Sequence, residues 1–224
     1  MKQTAQNLWV AWLGLMGGLL AGCATPAQHE PRNISDLKRE IRQYVESKRY
    51  DEDIQIVATA ASRWMEERIA TRKVGERLAV VFDLDETLLR NWPQIEAHDF
   101  GYDPAAWDQW VLTAAAPPIE PIREVYNVAR RRGIDVIFLT GRPERHRTAT
   151  IENLRRMGCE NYTALLCAPN AGKKSNGAFK TAERKRLSEE GWTIIANIGD
   201  QRSDFAGGFA ERTFKIPNPF YIAD

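Results

Sequence analysis

The sequence predicts an α/β domain: a three-layer arrangement in which a parallel sheet is covered by helices on both faces, preceded by N-terminal helices. Two observations carry this expectation. After Gly75, short apolar segments alternate with helical stretches at the spacing of strand–helix–strand units. The composition, 43% hydrophobic and 27% charged over 224 residues, suffices for one ordinary globular core.

Taken in order, residues 24–33 (ATPAQHEPRN) lack periodicity and carry two prolines, as a tether does. Ser35 is expected to cap a first helix ending near residue 48. A second, from Asp51 to about Arg72, repeats Ile54, Val57, Ala61, Trp64, Met65 and Ile69 at intervals of three and four. Strands are expected at 78–82 (LAVVF), 135–139 (DVIFL), 163–167 (TALLC), 193–198 (TIIANI) and 213–216 (TFKI), and helices near 119–132, 143–157 and 178–190. Residues 88–118 form a small insertion rather than a full extra domain. Cys159 and Cys167 read as buried free thiols in preference to a disulfide pair. His29, His98 and His146 have no spacing that suggests a zinc site and read as surface residues.

The first residues differ from the rest. Lys2 is the only charge before His29 and Glu30, and Leu8–Gly22 is a 15-residue apolar run, short for a membrane span and right for a secretory signal. It ends in Leu20-Ala21-Gly22-Cys23, which resembles the lipobox of bacterial lipoproteins. That resemblance implies a signal peptide over 1–22, lipid on Cys23, a lipid-anchored linker over 23–33 and a globular domain over 34–224. An uncleaved anchor or a plain signal peptide is the alternative. Ala24 rather than Asp after the cysteine favours, by the same resemblance, the outer membrane of a bacterial envelope, facing periplasm or surface. Lys plus Arg number 31 against 30 Asp plus Glu, a balance that gives no electrostatic footprint for nucleic acid.

In a parallel sheet, ligands gather at the carboxyl ends of the strands. The first strand ends in Asp83-Leu84-Asp85-Glu86-Thr87, the second in Thr140-Gly141-Arg142 and the fourth in Gly199-Asp200-Gln201-Arg202-Ser203-Asp204, while Lys180 opens the helix between the third and fourth. Carboxylates two residues apart repel, so Asp83 and Asp85 need a cation, a shared proton or full exposure. A hard cation such as Mg²⁺ takes carboxylate oxygens, here from Asp83 and Asp200, and leaves room for phosphate. The chemistry suggested is phosphoryl transfer: one aspartate attacks phosphorus, the second moves the proton, and Thr140 and Lys180 hold the phosphate oxygens.

Asp-x-Asp-x-Thr after an apolar strand, Thr140, Lys180 and Gly-Asp-x-x-x-Asp resemble the four motifs of the haloacid dehalogenase-like (HAD) superfamily. Phe138-Leu139-Thr140-Gly141-Arg142 with Arg147, Thr150, Asn153 and Leu154, Phe179-Lys180, and Phe214-Lys215-Ile216-Pro217-Asn218-Pro219 narrow the resemblance to its subfamily IIIB acid phosphatases, the branch of plant vegetative storage proteins and bacterial lipoprotein phosphatases. The resemblance covers roughly residues 35–224 and implies a Rossmann-like core. It further implies Asp83 as nucleophile and metal ligand, Asp85 as general acid/base and ligand through its carbonyl, and Thr140 and Lys180 as phosphate-binding. Asp200 is then a Mg²⁺ ligand and Asp204 a support of the metal shell. Arg202 departs from the aromatic residue common at its position in plant members.

The insertion carries Trp92, Phe100, Tyr102, Trp107 and Trp110. Trp92, Arg142 and Tyr221 are candidates for the substrate rim, whereas Trp107 and Trp110, three apart, are expected to pack a short helix onto the body. Arg142 and Arg145 are also candidates for ion pairs with Glu144 and Asp204. The expected substrate is a small phosphomonoester, nucleoside monophosphates included. Competing readings are phosphotransfer or dehalogenation on the same scaffold, and a non-enzymatic surface lipoprotein. The last requires loss of a motif aspartate, and none is missing. A glycosidase carboxylate pair leaves Thr140, Lys180 and the Gly-Asp-x-x-x-Asp motif unexplained.

Overall fold

The helical periodicity of the N-terminal region forms α1 (Ile34–Glu46) and α2 (Arg49–Ile69) in a computed structural model that describes residues 31–170 and 175–223. Lys48, at φ 69°, takes the left-handed turn that separates the two helices. The stripe Tyr50, Ile54, Ala58, Ala61 and Met65 buries one face of α2. Ser35 lies inside α1 instead of capping it, because the helix begins one residue earlier. The expected signal peptide, Cys23 and most of the linker lie outside the described residues. Among the described residues, no helix is long and apolar enough to cross a membrane.

Five strands follow: β1 (Arg77–Phe82), β2 (Asp135–Pro143), β3 (Ala164–Ala168), β4 (Trp192–Gly199) and β5 (Thr213–Lys215). They form one parallel sheet in the order β3-β2-β1-β4-β5. The order reverses at β1, since the chain fills one side through β3 and then crosses to β4. That places the switch point, and the natural crevice, beside the end of β1. β1 is buried from Leu78 to Phe82, which explains its unbroken apolar run.

Alternate residues of β1 feed two cores. Leu78, Val80 and Phe82 join Val136 and Phe138 of β2 against α2 and α5 (Glu120–Arg131). Ala79 and Val81 join Ile137, Leu139 and Leu187 beneath α7 (Asn176–Glu189). Phe82 and Phe138 are both wholly buried with ring centroids 6.1 Å apart, and burial of each contributes about 2–3 kcal/mol.

β2 runs four residues beyond the sequence expectation. Its pairing with β3 shifts register after Thr140 and resumes at Pro143 opposite Ala168, so Gly141 and Arg142 belong to the extended strand end. The insertion folds as α3 (Trp92–Ala97) and α4 (Pro104–Thr113), with Asp103 capping α4 by accepting the Ala105 N–H at 2.9 Å. A 3-10 turn, Glu144–His146, leads from β2 into α6 (Arg147–Arg156). Cys159 and Cys167 are buried free thiols, and burial pushes Cys159 up to about 12.

Candidate active site

The site is built where β1, β2 and β4 end. The Asp83 N–H donates to the Ile198 carbonyl at 2.9 Å, so the sheet ladder itself fixes the backbone of the first aspartate. Three residues on, the chain turns back: Glu86 sits at φ 55°, and the Leu88 and Leu89 N–H groups both return to the Leu84 carbonyl. A glutamate in that conformation costs about 1–2 kcal/mol, which the surrounding bonds offset.

Asp83, Asp200 and Asp204 are all buried, and an oxygen from each lies within 4.8 Å of the others. Lys180, on the second turn of α7, reaches across to donate to Asp83 Oδ1 and Asp204 Oδ1, both at 2.5 Å. Asp200 accepts from Asn218 Nδ2 at 2.6 Å and from Thr87 Oγ1 at 3.3 Å. Asp204 Oδ2 takes the Gln201 N–H at 2.8 Å. Behind this loop the buried Arg184 guanidinium donates to the carbonyls of Asp204 (2.6 Å), Ala206 and Gly208 (3.0 Å), clamping the chain that carries Asp204.

One lysine does not balance three buried carboxylates. Burial, opposed by Lys180 and reinforced by Asp204, Asp200 and Asp85, pushes Asp83 well above the usual carboxylate range. Burial and the Asp204 charge push Asp200 the same way. Burial works to lower the Lys180 ammonium, but Asp83 and Asp204 outweigh it and hold it firmly charged. A buried, all-oxygen cluster with surplus negative charge fits a hard divalent cation. Asp83, Asp200 and Asp204 together offer the carboxylate oxygens that could hold it.

Asp85 is held separately. Arg142, itself buried, donates through Nε to both carboxylate oxygens at 3.0 and 3.1 Å and through Nη2 to Oδ1 at 2.6 Å. Arg142 therefore pairs with Asp85, not with Glu144 or Asp204. Arg145 pairs instead with Asp108 at 3.1 Å, and Glu144 with Arg147. Glu86 is a buried acid to which the sequence motif assigned no role. It accepts from Asn91 and from Tyr221 Oη (2.7 Å), and burial together with the Asp85 charge pushes it up to about 8.

Asp83, Asp85, Lys180 and Asp200 floor a cavity of about 500 Å³. Thr140, expected to bind phosphate, is instead fully buried in β2 three residues before its end, its hydroxyl accepting the Arg142 N–H at 3.1 Å, and does not line that cavity. Trp92, expected on the rim, instead packs against Phe100 and Phe220 with centroids 5.9 and 5.2 Å away. Trp92 is the first residue of α3 and Pro93 the second, and the Trp92 ring lies against the core. Trp107 and Tyr102 line the cavity in its place, as do Tyr221 and Ile222 of the C-terminal segment. His146 is buried rather than superficial, with Nε2 3.0 Å from Asp108.

A family model described as HAD superfamily, subfamily IIIB (acid phosphatase), matches residues 21–224. Acid phosphatase 1 of Solanum lycopersicum is 38% identical over 147 residues, 63% of this chain and 57% of the tomato protein. The stem 28 kDa glycoprotein of Glycine max is 30% identical over 80% of this chain and 72% of its own length. The class C acid phosphatase of Bacillus anthracis superposes with a TM-score of 0.70 at 23% identity, covering 83% of this chain and 86% of that one, which shows a shared fold.

Proposed function

The chain belongs to subfamily IIIB of the HAD superfamily, the acid phosphatases, and we propose that it hydrolyses phosphomonoesters through a phosphoryl group carried on Asp83. The observation that carries this reading is the separation of two acids on one cavity floor. Asp83 is gripped by Lys180 within the carboxylate cluster, and Asp85 by Arg142 outside it.

In the first half-reaction an Asp83 oxygen bonds to phosphorus while the ester P–O bond breaks, and Asp85 gives its proton to the departing alkoxide. In the second, water attacks phosphorus, Asp85 takes a water proton, and the bond to Asp83 breaks to release phosphate. Lys180 faces the oxygens on which charge grows, and the carboxyl end of β2 beside it lines the same cavity through Gly141 and Arg142. A divalent cation, proposed as Mg²⁺, would be held by Asp83, Asp200 and the Asp85 carbonyl with Asp204 behind. When bound, it supplies positive charge against the phosphate oxygens.

Phosphate release from p-nitrophenyl phosphate at mildly acid pH tests the assignment. Asp83→Asn lowers kcat by at least about 10⁴-fold, and chelation abolishes turnover that Mg²⁺ restores. Full turnover by the variant overturns the reading. The wall of Tyr102 and Trp107 supports ring-bearing substrates such as nucleoside monophosphates, and a flat profile across nucleotide, sugar and aryl phosphates sinks that part.

Export and lipid anchoring at Cys23 complete the proposal, placing the enzyme on a bacterial envelope, with the outer membrane favoured by Ala24. Their support is the apolar run and Leu20-Ala21-Gly22-Cys23. Cys23→Ser releases the protein from membranes into the soluble fraction; retention on membranes contradicts the anchor.

A further inference from the structure

Asn91 is wholly buried just ahead of α3, and every polar atom of its amide is engaged. Nδ2 donates to Asp85 Oδ1 at 2.9 Å and to Glu86 Oε2 at 3.0 Å. Oδ1 accepts from Trp110 Nε1 at 2.8 Å, and the backbone N–H donates to Glu86 Oε1 at 2.6 Å. An indole N–H can only donate. Trp110 therefore decides which end of the amide faces the acids, because the reversed amide would set its NH2 against the indole N–H and its oxygen against Asp85 Oδ1. Trp110 lies on α4, so a continuous line of bonds runs from the insertion through Asn91 to Asp85.

The distribution of bonds on Asp85 gives this line a purpose. Among the described residues, Oδ1 receives Arg142 Nε, Arg142 Nη2 and Asn91 Nδ2, whereas Oδ2 receives Arg142 Nε alone. Oδ1 is thereby saturated, and Oδ2 is the oxygen left to exchange a proton over the cavity. Arg142 holds the carboxylate along one edge. Asn91 adds a second point from another direction, and two points fix the plane of the group.

We propose that Asn91, oriented by Trp110, is a positioning residue that holds the Asp85 carboxyl with Oδ2 directed at the leaving oxygen of the substrate. The inference rests on the phosphatase reading and deepens it, since it assigns to the insertion a part in proton delivery as well as in walling the cavity.

Leaving-group dependence tests it. p-Nitrophenoxide departs with little need of a proton, whereas the alkoxide of glycerol phosphate requires one, so misplacing Asp85 slows the first half-reaction selectively for the second substrate, while water activation in the second half-reaction suffers alike for both. In kcat/KM, which reports the steps up to departure of the leaving group, Asn91→Ala loses about 100-fold for glycerol phosphate and less than about 5-fold for p-nitrophenyl phosphate. Trp110→Phe keeps the ring and loses only the N–H; it moves the two substrates apart in the same sense by about 10-fold, and it decides the matter if Asn91→Ala fails to fold. Equal losses of kcat/KM on both substrates, or no loss on either, overturns the assignment while leaving the phosphatase reading intact. A wild-type enzyme that releases phosphate from neither substrate overturns both.

Discussion

A methyl group added at Gly199 would lie 2.3 Å from Asp204 Oδ2 and 2.6 Å from its Cγ, distances that no side chain tolerates. The glycine that ends β4 is thus a condition for Asp204 to stand where Lys180 reaches it. Gly199→Ala forces the carboxylate aside and loosens the lysine from its second partner. A displacement of that size costs kcat/KM about 100-fold, and overpacking costs about 1–3 kcal/mol of stability. Phosphate-release kinetics and thermal melting check the two effects. A variant with wild-type kinetics shows that Asp204 takes no part in holding Lys180. The motif reading of Gly-Asp-x-x-x-Asp located this pair, but it contained nothing about why the residue before Asp200 lacks a side chain.

At the scale of elements, the joint between α4 and the turn after β2 depends on His146. Its ring is buried against Asp108 of α4, with Arg145 and Arg142 nearby and Nδ1 without a hydrogen-bond partner. Burial, opposed by Asp108 and assisted by the two arginines, lowers the imidazole below its ordinary value of 6.5. The sign follows from linkage: the unfolded chain takes up the proton at higher pH than the folded one. The stabilisation is therefore complete above about 6.5 and is lost as pH falls through the lower folded value. Unfolding free energy measured by urea from pH 7.5 to 5 declines in the wild type, and His146→Gln flattens that slope. An unchanged slope in the variant shows that other groups carry the dependence. Sequence reasoning placed this histidine on the surface because single residues in a polar turn carry no burial signal. Only the docking of α4 onto the turn encloses it.

For the molecule as a whole, the sheet was readable because buried parallel strands appear as unbroken apolar runs, and because each motif sits directly after one. Asp83, Asp85, Thr140 and Asp200 could be placed on one edge from their position at or just past strand ends, whereas Lys180 on α7 and Asp204 in the turn after β4 are singled out by the motif resemblance. What could not be read depends on side-chain direction within the insertion. Trp92 and Trp107 are both aromatic and both in residues 88–118, yet the first, at the start of α3, lies against the core while the second, on α4, lines the cavity. Glu86 was hidden for a related reason: its φ of 55° is an unusual conformation for glutamate, and it turns an apparently exposed acid inward to meet Asn91 and Tyr221. Arg142 followed the motif, but its partner lies 57 residues earlier in the chain.

The central claim is that phosphorus is transferred to Asp83 before water receives it. Rapid acid quench of the enzyme during turnover of p-nitrophenyl phosphate, followed by peptide mapping by mass spectrometry, tests this directly. The account predicts a phosphoryl group on the peptide containing Asp83, located to that side chain and absent from Asp83→Asn. A phosphoryl group trapped on Asp85, Asp200 or any other residue, with Asp83 unmodified, contradicts it.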